Sequence, residues 1–577
     1  MNDLNENNIP LSQYPRPQMK RESFINLNGY WDFAKEKSKS KPVFNKKILV
    51  PFSPETKLSG IEERVDPDDY IFYRRLVKLP ENFNQGKVII HFGAVDQVSE
   101  LFINDKFVIK NTNGFLPFSA DITEYIIDNE FEIRLIVNDF TNTKSNLIGK
   151  QRLKSGGIFY TPQSGIWQTV WLESVPENYL IDLKITPLFD KESVKLEFEV
   201  SGNENVEIEI LDGDKSLNEV KTASKSIEIE IPNMKPWTPE SPYLYNLKIK
   251  YSNDLVESYF GMRKFEHRVD NEGIHRFFLN NKPYLQNGVL DQGYYHDSLL
   301  TPPTDEAMID DIQTMKDLGF NLLRKHIKIE PLRWYYYCDK LGMLVWQDMI
   351  NGGNRKDIFF HGFLANIGVH LNDKYYCLFG RKDQIAKKEF IDNLVKMVYL
   401  LKNVTSISTW VPFNEAWGQF DALKIEQIVR GIDNQRLIDH ASGWSDQSGG
   451  DYHSRHIYFT KINFKKKKAR KRILALTEFG GYSLPIENHQ FNEDKVFGYK
   501  MYSNKTELET ALKKLYSEVL IPQIKQGLQV LVYTQLSDVE EEINGFLTYD
   551  REVLKVDKNF MNNLNQELFK CFNNQFQ

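Results

Sequence analysis

The spacing of apolar residues changes once along this chain, after about residue 270, and that change decides its architecture. Before it, short runs alternate with period two, as in Phe131-Glu132-Ile133-Arg134-Leu135-Ile136-Val137 and Val194-Lys195-Leu196-Glu197-Phe198-Glu199-Val200. Such runs bury one face and wet the other, which is the pattern of antiparallel strands. After it, strand-like runs alternate with helical patterns, which is the pattern of βα units on a parallel sheet. One layered domain cannot hold both patterns, so the chain divides into sandwiches followed by an α/β domain.

The length of 577 residues sets a prior of about three to four domains. The first, 1–180, has many short strands separated by Gly, Asn and Pro and reads as a jelly-roll β-sandwich. The second, 181–268, reads as an immunoglobulin-like β-sandwich with Pro236-Trp237-Thr238-Pro239 as a stiff turn. The third, 269–577, reads as a (β/α)8 TIM barrel. Its strands are expected at Pro283–Val289, Phe320–His326, Met343–Asp348, Ser406–Asn414, Arg436–Ala441, Ser454–Phe459, Ile473–Phe479 and Gln529–Gln535. Helices are expected at Asp305–Leu318, Lys382–Leu401 and Lys505–Lys525, the first capped by Thr304 or Asp305. Asn351–Arg381 is a long insert after strand three, on the face where barrel active sites are built. It carries Phe359, Phe360, His361, Phe363, Tyr375, Tyr376 and Phe379, which are expected to narrow the pocket or to pack as a cap.

Composition excludes several classes. A net charge of −6 and a pI near 6.1 leave no global field to draw the protein onto nucleic acid or an anionic membrane. The longest apolar runs, such as Leu528–Tyr533, are strand-length, and Met1–Pro10 lacks the apolar core of a secretory signal. Three cysteines, Cys338, Cys377 and Cys571, do not make a disulfide framework and fit a reducing compartment, so the expected location is cytoplasmic. The basic run Lys465–Arg472 enters strand seven from the side opposite the expected catalytic face and reads as a solvated loop. Aromatics reach 13%, which suits sugar-binding platforms and large β-rich cores alike.

Two carboxylates stand at strand ends. Glu415 closes Trp410-Val411-Pro412-Phe413-Asn414-Glu415, and Glu478 lies in Thr477-Glu478-Phe479-Gly480-Gly481. Strands four and seven deliver their C-terminal ends to one cavity. Either residue alone has an alternative as an ion-pair partner of a loop Arg or Lys. As a pair they are what acetal hydrolysis needs, one protonated to assist the leaving oxygen and one ionised to attack or to activate water.

At this point the sequence resembles glycoside hydrolase family 2, the β-galactosidase, β-glucuronidase and β-mannosidase family. Asn26-Leu27-Asn28-Gly29-Tyr30-Trp31-Asp32-Phe33, His91-Phe92-Gly93-Ala94-Val95-Asp96 and Gly165-Ile166-Trp167-Gln168 resemble its sugar-binding domain. Phe260-Gly261-Met262-Arg263 resembles the exit from its middle sandwich. In the barrel, Asn321-Leu322-Leu323-Arg324-Lys325-His326, the Trp410–Glu415 run and Thr477–Gly481 resemble its catalytic motifs, in the family's order.

The resemblance implies a retaining exo-β-glycosidase that is β-galactosidase-like, with Glu415 as general acid/base and Glu478 as nucleophile. It implies Asn414 on the sugar 2-hydroxyl, Arg324 holding Glu478 ionised, and His326 lining the sugar subsite. It also points to the Asp451-Tyr452-His453 loop, with His453 favoured, and to Tyr533 at the end of strand eight, where relatives carry a Trp platform. Trp417 and Trp444 are candidates to stack on a pyranose face, with core packing as the alternative for each. Asp348 ends strand three at the rim. Asp538, Glu540 and Glu542 read as a solvated or ion-paired loop rather than a metal site.

Two departures bear on the substrate. The galactosidase run G-V-N-R-H-E is here Gly288-Val289-Leu290-Asp291-Gln292-Gly293, so Asp291 either binds a neutral hydroxyl or faces away from the cavity. The glucuronidase N-x-K pair is missing downstream of Glu478, which weakens the β-glucuronidase alternative. From another class, a non-catalytic carbohydrate-binding protein remains the competing reading. No cofactor or metal is called for, and the expected partner is a carbohydrate substrate, with room for a homo-oligomer.

Overall fold

Phe131, Ile133, Leu135 and Val137 are buried on one face of Glu130–Asn138, as period two requires. The computed structural model describes residues 9–576 except 41, 145, 354–357, 465–468 and 470; it describes the backbone but not the side chains of 358 and 359. Glu130–Asn138 lies inside a six-stranded antiparallel sheet with Lys46–Val50, Gly29–Glu36, Tyr70–Lys78, Val98–Ile103 and Lys106–Asn111. A four-stranded sheet of Phe24–Asn26, Val170–Val175, Lys87–Phe92 and Phe118–Asp121 faces it. Trp31, Phe33 and Tyr73 from the first sheet meet Ile90, Phe92 and Leu172 from the second in one core.

A second sandwich follows. Leu180–Leu188, Ser193–Val200 and Ser226–Glu230 form one sheet, and Lys215–Thr222, Val206–Asp212, Tyr245–Tyr251 and Asp254–Phe260 form the other. Tyr245, Leu247, Ile249 and Tyr251 are buried while the residues between them are exposed. Trp237 lies fully buried at the exit, and its indole N–H donates to the Asp339 carbonyl 2.7 Å away, which ties this sandwich to the third domain.

The third domain is a parallel eight-stranded TIM-barrel sheet. Its strands are β1 (Gln286–Asp291), β2 (Leu322–Lys325), β3 (Leu344–Asp348), β4 (Ile407–Val411), β5 (Leu437–Ile438), β6 (Tyr452–Ile457), β7 (Ile473–Gly480) and β8 (Leu528–Thr534). β1 pairs with both β2 and β8, and the Asp451 N–H donates to the Ile438 carbonyl where β5 meets β6. Leu322, Leu344, Trp346, Tyr452, Ala475, Val530 and Val532 fill the interior. Phe265 and Phe277, on an antiparallel hairpin just before β1, pack onto the same core. The interior is therefore solid, and chemistry is confined to the strands' C-terminal ends.

The helices are α1 (Asp305–Asp317), α2 (Leu332–Leu341), α3 (Ile358–Asn366), α4 (Gln384–Leu400), α5 (Ala422–Ile432), α6 (Lys505–Lys514) and α7 (Lys558–Asn573). Thr304 caps α1 through its hydroxyl, which accepts from Ala307 N–H. The helix expected over Lys505–Lys525 widens into a π-helical turn at Leu515–Leu520 before Ile521–Lys525. Pro522 explains this, because it has no N–H to donate and its ring crowds the preceding turn. The fifth strand is shorter than expected, and the Arg436 side chain at its start donates to the Ile407 carbonyl, 2.9 Å away, and to the Val404 carbonyl.

The insert contains α3 and folds back onto the β4 rim. Arg381 closes it, donating 2.7 Å to the Gly352 carbonyl and 3.0 Å to the Gly418 carbonyl. Its aromatics divide: Phe379 is buried, whereas Phe360, Phe363 and Tyr375 are exposed, and the side chain of Phe359 lies outside the described residues. Of the basic run, Lys465–Lys468 and Arg470 also lie outside them. Among the described residues no helix is long and apolar enough to cross a membrane.

Candidate active site

Because Leu322 faces the barrel interior, alternation turns Arg324 and His326 the same way. Arg324 is fully buried and joins four strands at once. Its Nε donates 3.0 Å to Asp348 Oδ1, its Nη2 donates 2.7 Å to Asn414 Oδ1, and its Nη1 lies 3.3 Å from Glu478 Oε1. Asp348 Oδ2 is in turn 2.7 Å from His326 Nδ1. Burial pushes the His326 pKa well below its ordinary value, and the charges of Lys150 and Arg324 push in the same direction. Burial raises the Asp348 pKa against the pull of Arg324.

Glu415 and Ala416 both adopt left-handed backbone, with φ of +50° and +59°. Two consecutive non-glycine residues in that region cost roughly 1–3 kcal/mol each, a cost that functional rims commonly carry. The turn is held by Glu415 N–H donating 3.0 Å to the Ser442 carbonyl and Trp417 N–H donating 3.0 Å to the Asn414 carbonyl. Glu478 reaches the cavity through a register irregularity of β7 between Leu476 and Phe479. Its Oε2 accepts from the Tyr458 hydroxyl at 2.6 Å. Burial raises the Glu478 pKa and the neighbouring Glu415 charge adds to this, while His456, Arg324 and Tyr458 oppose it.

His456 stands between the two glutamates. Its Nδ1 is 2.9 Å from Glu415 Oε1 and 3.4 Å from Glu478 Oε2. These atoms lie within 4.8 Å of one another. Burial drives the His456 pKa down to about 4, although Glu478 pulls it up. Its Nε2 faces the Arg324 guanidinium at 3.3 Å and the Ser442 hydroxyl at 3.2 Å. Arg324 can only donate, so Nε2 is the acceptor and Nδ1 carries the hydrogen toward the carboxylates. Tyr458 is covered by Tyr499, whose ring stacks on it at 3.9 Å with an interplanar angle of 5°. Glu415, His456 and Glu478 also have the donor set of a metal site, but their atoms are already engaged in this network.

Sequence reasoning missed His456, Tyr458 and Tyr499. The signal for the first two was the alternation Tyr452, Ser454, His456, Tyr458, which starts from the inward-facing Tyr452. His453 has the opposite parity and is corrected here: it lies 3.6 Å from Asp446 and 3.4 Å from Arg472, away from the glutamates. Asp291 faces out of the cavity, 2.6 Å from the equally outward Lys325, and Lys325 also binds Glu330 at 2.7 Å. Tyr533 likewise points outward and is buried against Phe479 and Phe546, with its oxygen accepting from Tyr482 N–H. The inward residue at that strand end is Thr534, 3.0 Å from the Tyr458 hydroxyl.

Trp417 and Trp444 pack at the rim with Ile327 of the barrel and with Ile148 and Phe159 of the first domain. Trp417 is buried, whereas Trp444 is partly open and lies 6.4 Å from the His456 ring, centroid to centroid. Of the acids after β8, Asp538 is ion-paired as expected, whereas Glu540 and Glu542 are buried and, with Glu541, clamp the same first-domain segment. Glu540 accepts from Thr161 N–H, Glu541 from Gly157 N–H and Glu542 from the Tyr160 hydroxyl, while Asp538 pairs with Lys555.

Comparison with known proteins agrees with this layout. The sugar binding domain model of glycosyl hydrolases family 2 matches residues 59–176, the model described as glycosyl hydrolases family 2 matches 178–263, and the family's TIM barrel domain model matches 270–473. A beta-galactosidase of Thermoanaerobacter pseudethanolicus is 26% identical over 453 residues, which are 73% of this chain and 56% of that protein. A putative beta-glucuronidase of Formosa agariphila is 27% identical over 297 residues, 48% of this chain and 34% of that protein. The chain thus spans little more than half, or less, of the length of these curated relatives. Among solved structures, a beta-glucuronidase of an uncultured Clostridium sp. shares the fold with a TM-score of 0.75 at 17% identity, over 96% of this chain and 99% of that one. A GH2 beta-galacturonidase from Eisenbergiella tayi does so with a TM-score of 0.72 at 16% identity, over 96% and 99%.

Proposed function

The chain belongs to glycosyl hydrolases family 2, and from that premise we propose that it is a retaining exo-β-glycosidase acting on terminal β-linked sugars. One observation carries the reading: a Glu415 oxygen and a Glu478 oxygen both lie within 4.8 Å of each other and of His456 Nδ1. Retaining hydrolysis asks for carboxyl groups about 5–5.5 Å apart, whereas inversion needs about 6.5–9.5 Å to admit a water between them.

In this mechanism Glu415 protonates the glycosidic oxygen while Glu478 attacks the anomeric carbon, so that the glycosidic C–O bond breaks, the aglycone leaves as its alcohol and a glycosyl ester forms. Glu415 then takes a proton from water, which attacks the same carbon and releases Glu478. Asn414, fixed by Arg324, offers its amide to the sugar 2-hydroxyl. Arg324 and Tyr458 stabilise the ionised Glu478 that leaves in the second step. His326 and Asp348 line the glycone side.

The beta-galactosidase relatives support a galactoside substrate, and the beta-glucuronidase structures support only the fold. Three free cysteines fit a cytoplasmic enzyme. A non-catalytic sugar-binding protein would not require a strained Glu415 facing a second buried glutamate. The test is a panel of 4-nitrophenyl β-glycosides with Glu478→Gln as control: release of nitrophenol by the natural protein alone supports the reading, and no release from any member overturns it.

A further inference from the structure

The loops after β7 and β8 meet at a second cluster of ligand-bearing side chains, separate from the catalytic group. His489 belongs to the long excursion between β7 and α6, and Asp550 and Glu552 belong to the loop that follows β8. His489 Nδ1 lies 2.7 Å from Asp550 Oδ2 and 3.8 Å from Glu552 Oε2. One ligand atom from each residue falls within 4.8 Å of the other two. Around a divalent ion with bonds of about 2.1 Å, neighbouring donors stand about 3.0–3.4 Å apart, so these spacings bracket the edges of one coordination face.

Both sides of the face are held in place. Asp550 Oδ1 accepts from the Thr548 hydroxyl at 2.6 Å and from Glu552 N–H at 3.1 Å, which leaves Oδ2 turned toward His489. On the other loop, His489 N–H donates 3.1 Å to the Ile486 carbonyl. Phe491, two residues further on, packs edge-on against Tyr549 with ring centroids 5.6 Å apart. Metal ligands are oriented in this way, by hydrogen bonds to the carboxylate's other oxygen and by packing around the ring.

The charge of the cluster is unbalanced. Two carboxylates face one imidazole, and no Lys or Arg pairs with any of the three among the described residues. Arg551, between the two acids in sequence, turns away to Asp311 at 3.4 Å and to the Tyr295 ring at 4.5 Å. The catalytic group differs here, because Arg324 supplies its cation. Glu552 is exposed and His489 and Asp550 are half-buried, so an ion can reach the face from solvent.

We propose that His489, Asp550 and Glu552 bind a divalent transition-metal ion of the Zn2+ class, which clasps the β7 and β8 loops together at the barrel mouth. One imidazole nitrogen with two carboxylate oxygens selects such an ion over the hard Ca2+ and Mg2+, which take oxygen ligands. Water completes the coordination, and the ion replaces the hydrogen that His489 Nδ1 otherwise shares with Asp550. The clasp acts close to the chemistry, because the same excursion carries Tyr499, whose ring covers Tyr458. The inference stands on this geometry and does not depend on the glycosidase reading.

The test titrates the full chain, freed of metal with EDTA and dialysed, with ZnCl2, MnCl2, CaCl2 and MgCl2 by calorimetry. One Zn2+ per chain is expected with a Kd on the order of 10 µM, Mn2+ about tenfold weaker, and Ca2+ and Mg2+ weaker still. At a Zn2+ concentration about 100 times Kd the melting temperature should rise by about 2–4 °C. His489→Ala and Glu552→Gln should each weaken Zn2+ binding by at least about tenfold and remove the melting shift. Glu487→Gln, at an exposed acid of the same excursion, should leave both in place. Glu552 is exposed, so Glu552→Gln keeps the fold and decides the matter even where His489→Ala does not fold. Hydrogen exchange over residues 485–498 and 548–553 should slow with Zn2+ in the natural protein and not in Glu552→Gln. No Zn2+ binding tighter than about 100 µM, binding that Glu552→Gln leaves unchanged, or Ca2+ or Mg2+ held more tightly than Zn2+ would each overturn the inference.

Discussion

His456 Nδ1 lies 2.9 Å from Glu415 Oε1, so the acid/base proposed at the β4 rim is oriented by a ring from β6. With its pKa pushed down to about 4 by burial, the ring is neutral at ordinary pH and brings a single hydrogen to the carboxylate pair. It is therefore a positioning residue. His456→Phe should lower kcat by about 100-fold with KM little changed, since an orienting donor to a catalytic group is worth a few kcal/mol. His456→Gln, which keeps an N–H donor, should lose less. Steady-state kinetics of the two variants checks this, and equal losses would remove the orienting role.

Glu478→Gln should abolish turnover and leave the fold intact, because an amide cannot form the glycosyl ester. The expected loss is at least about 1,000-fold, with far-UV and near-UV circular dichroism unchanged. Azide should restore activity to Glu415→Ala by intercepting the glycosyl-enzyme. A loss under about tenfold in Glu478→Gln would show that another group is the nucleophile.

The acid limb of kcat/KM should lie above the ordinary glutamate value of 4.5, because burial and the Glu415 charge raise the Glu478 pKa. The sign follows from the role: the nucleophile works ionised, so activity falls as pH drops through its raised pKa. Arg324 is one of the groups holding that pKa down. Arg324→Gln should therefore move the limb to still higher pH while lowering the maximum rate. A limb that stays in place or moves down would contradict the pairing.

How much was readable before the structure depends on the kind of signal. The barrel and both sandwiches follow from periodicity, because burial of alternate residues such as Tyr245, Leu247 and Ile249 leaves its mark in sequence. The motifs pointed to Glu415, Glu478, Asn414, Arg324, His326 and Asp348, and the structure brings all six to one cavity. Parity along a strand went wrong where resemblance was used in its place, at His453 and Tyr533, while at Asp291 the structure selects the outward of the two alternatives left open. Counting from inward Tyr452 leads to His456, and the one-residue irregularity of β7 that turns Glu478 inward has no local sequence mark.

The insert meets the site through Trp444. A Cβ on Gly362 of α3 would come within 2.8 Å of the Trp444 ring. Gly362→Ala should stabilise the helix itself by about 1 kcal/mol but displace the indole. The expected result is a melting temperature that holds or rises, with a several-fold higher KM or an altered aglycone preference. An unchanged KM across several aglycones would make Trp444 a packing residue and the insert a cap.

The central claim is that Glu415 and Glu478 work as a retaining pair, and the anomer first released tests it most directly. Proton NMR of the best aryl β-glycoside, followed in the first minutes before mutarotation, should show the β-anomer of the free sugar appearing first, as two displacements at one carbon require. Initial appearance of the α-anomer would mean a single displacement by water and would contradict the account.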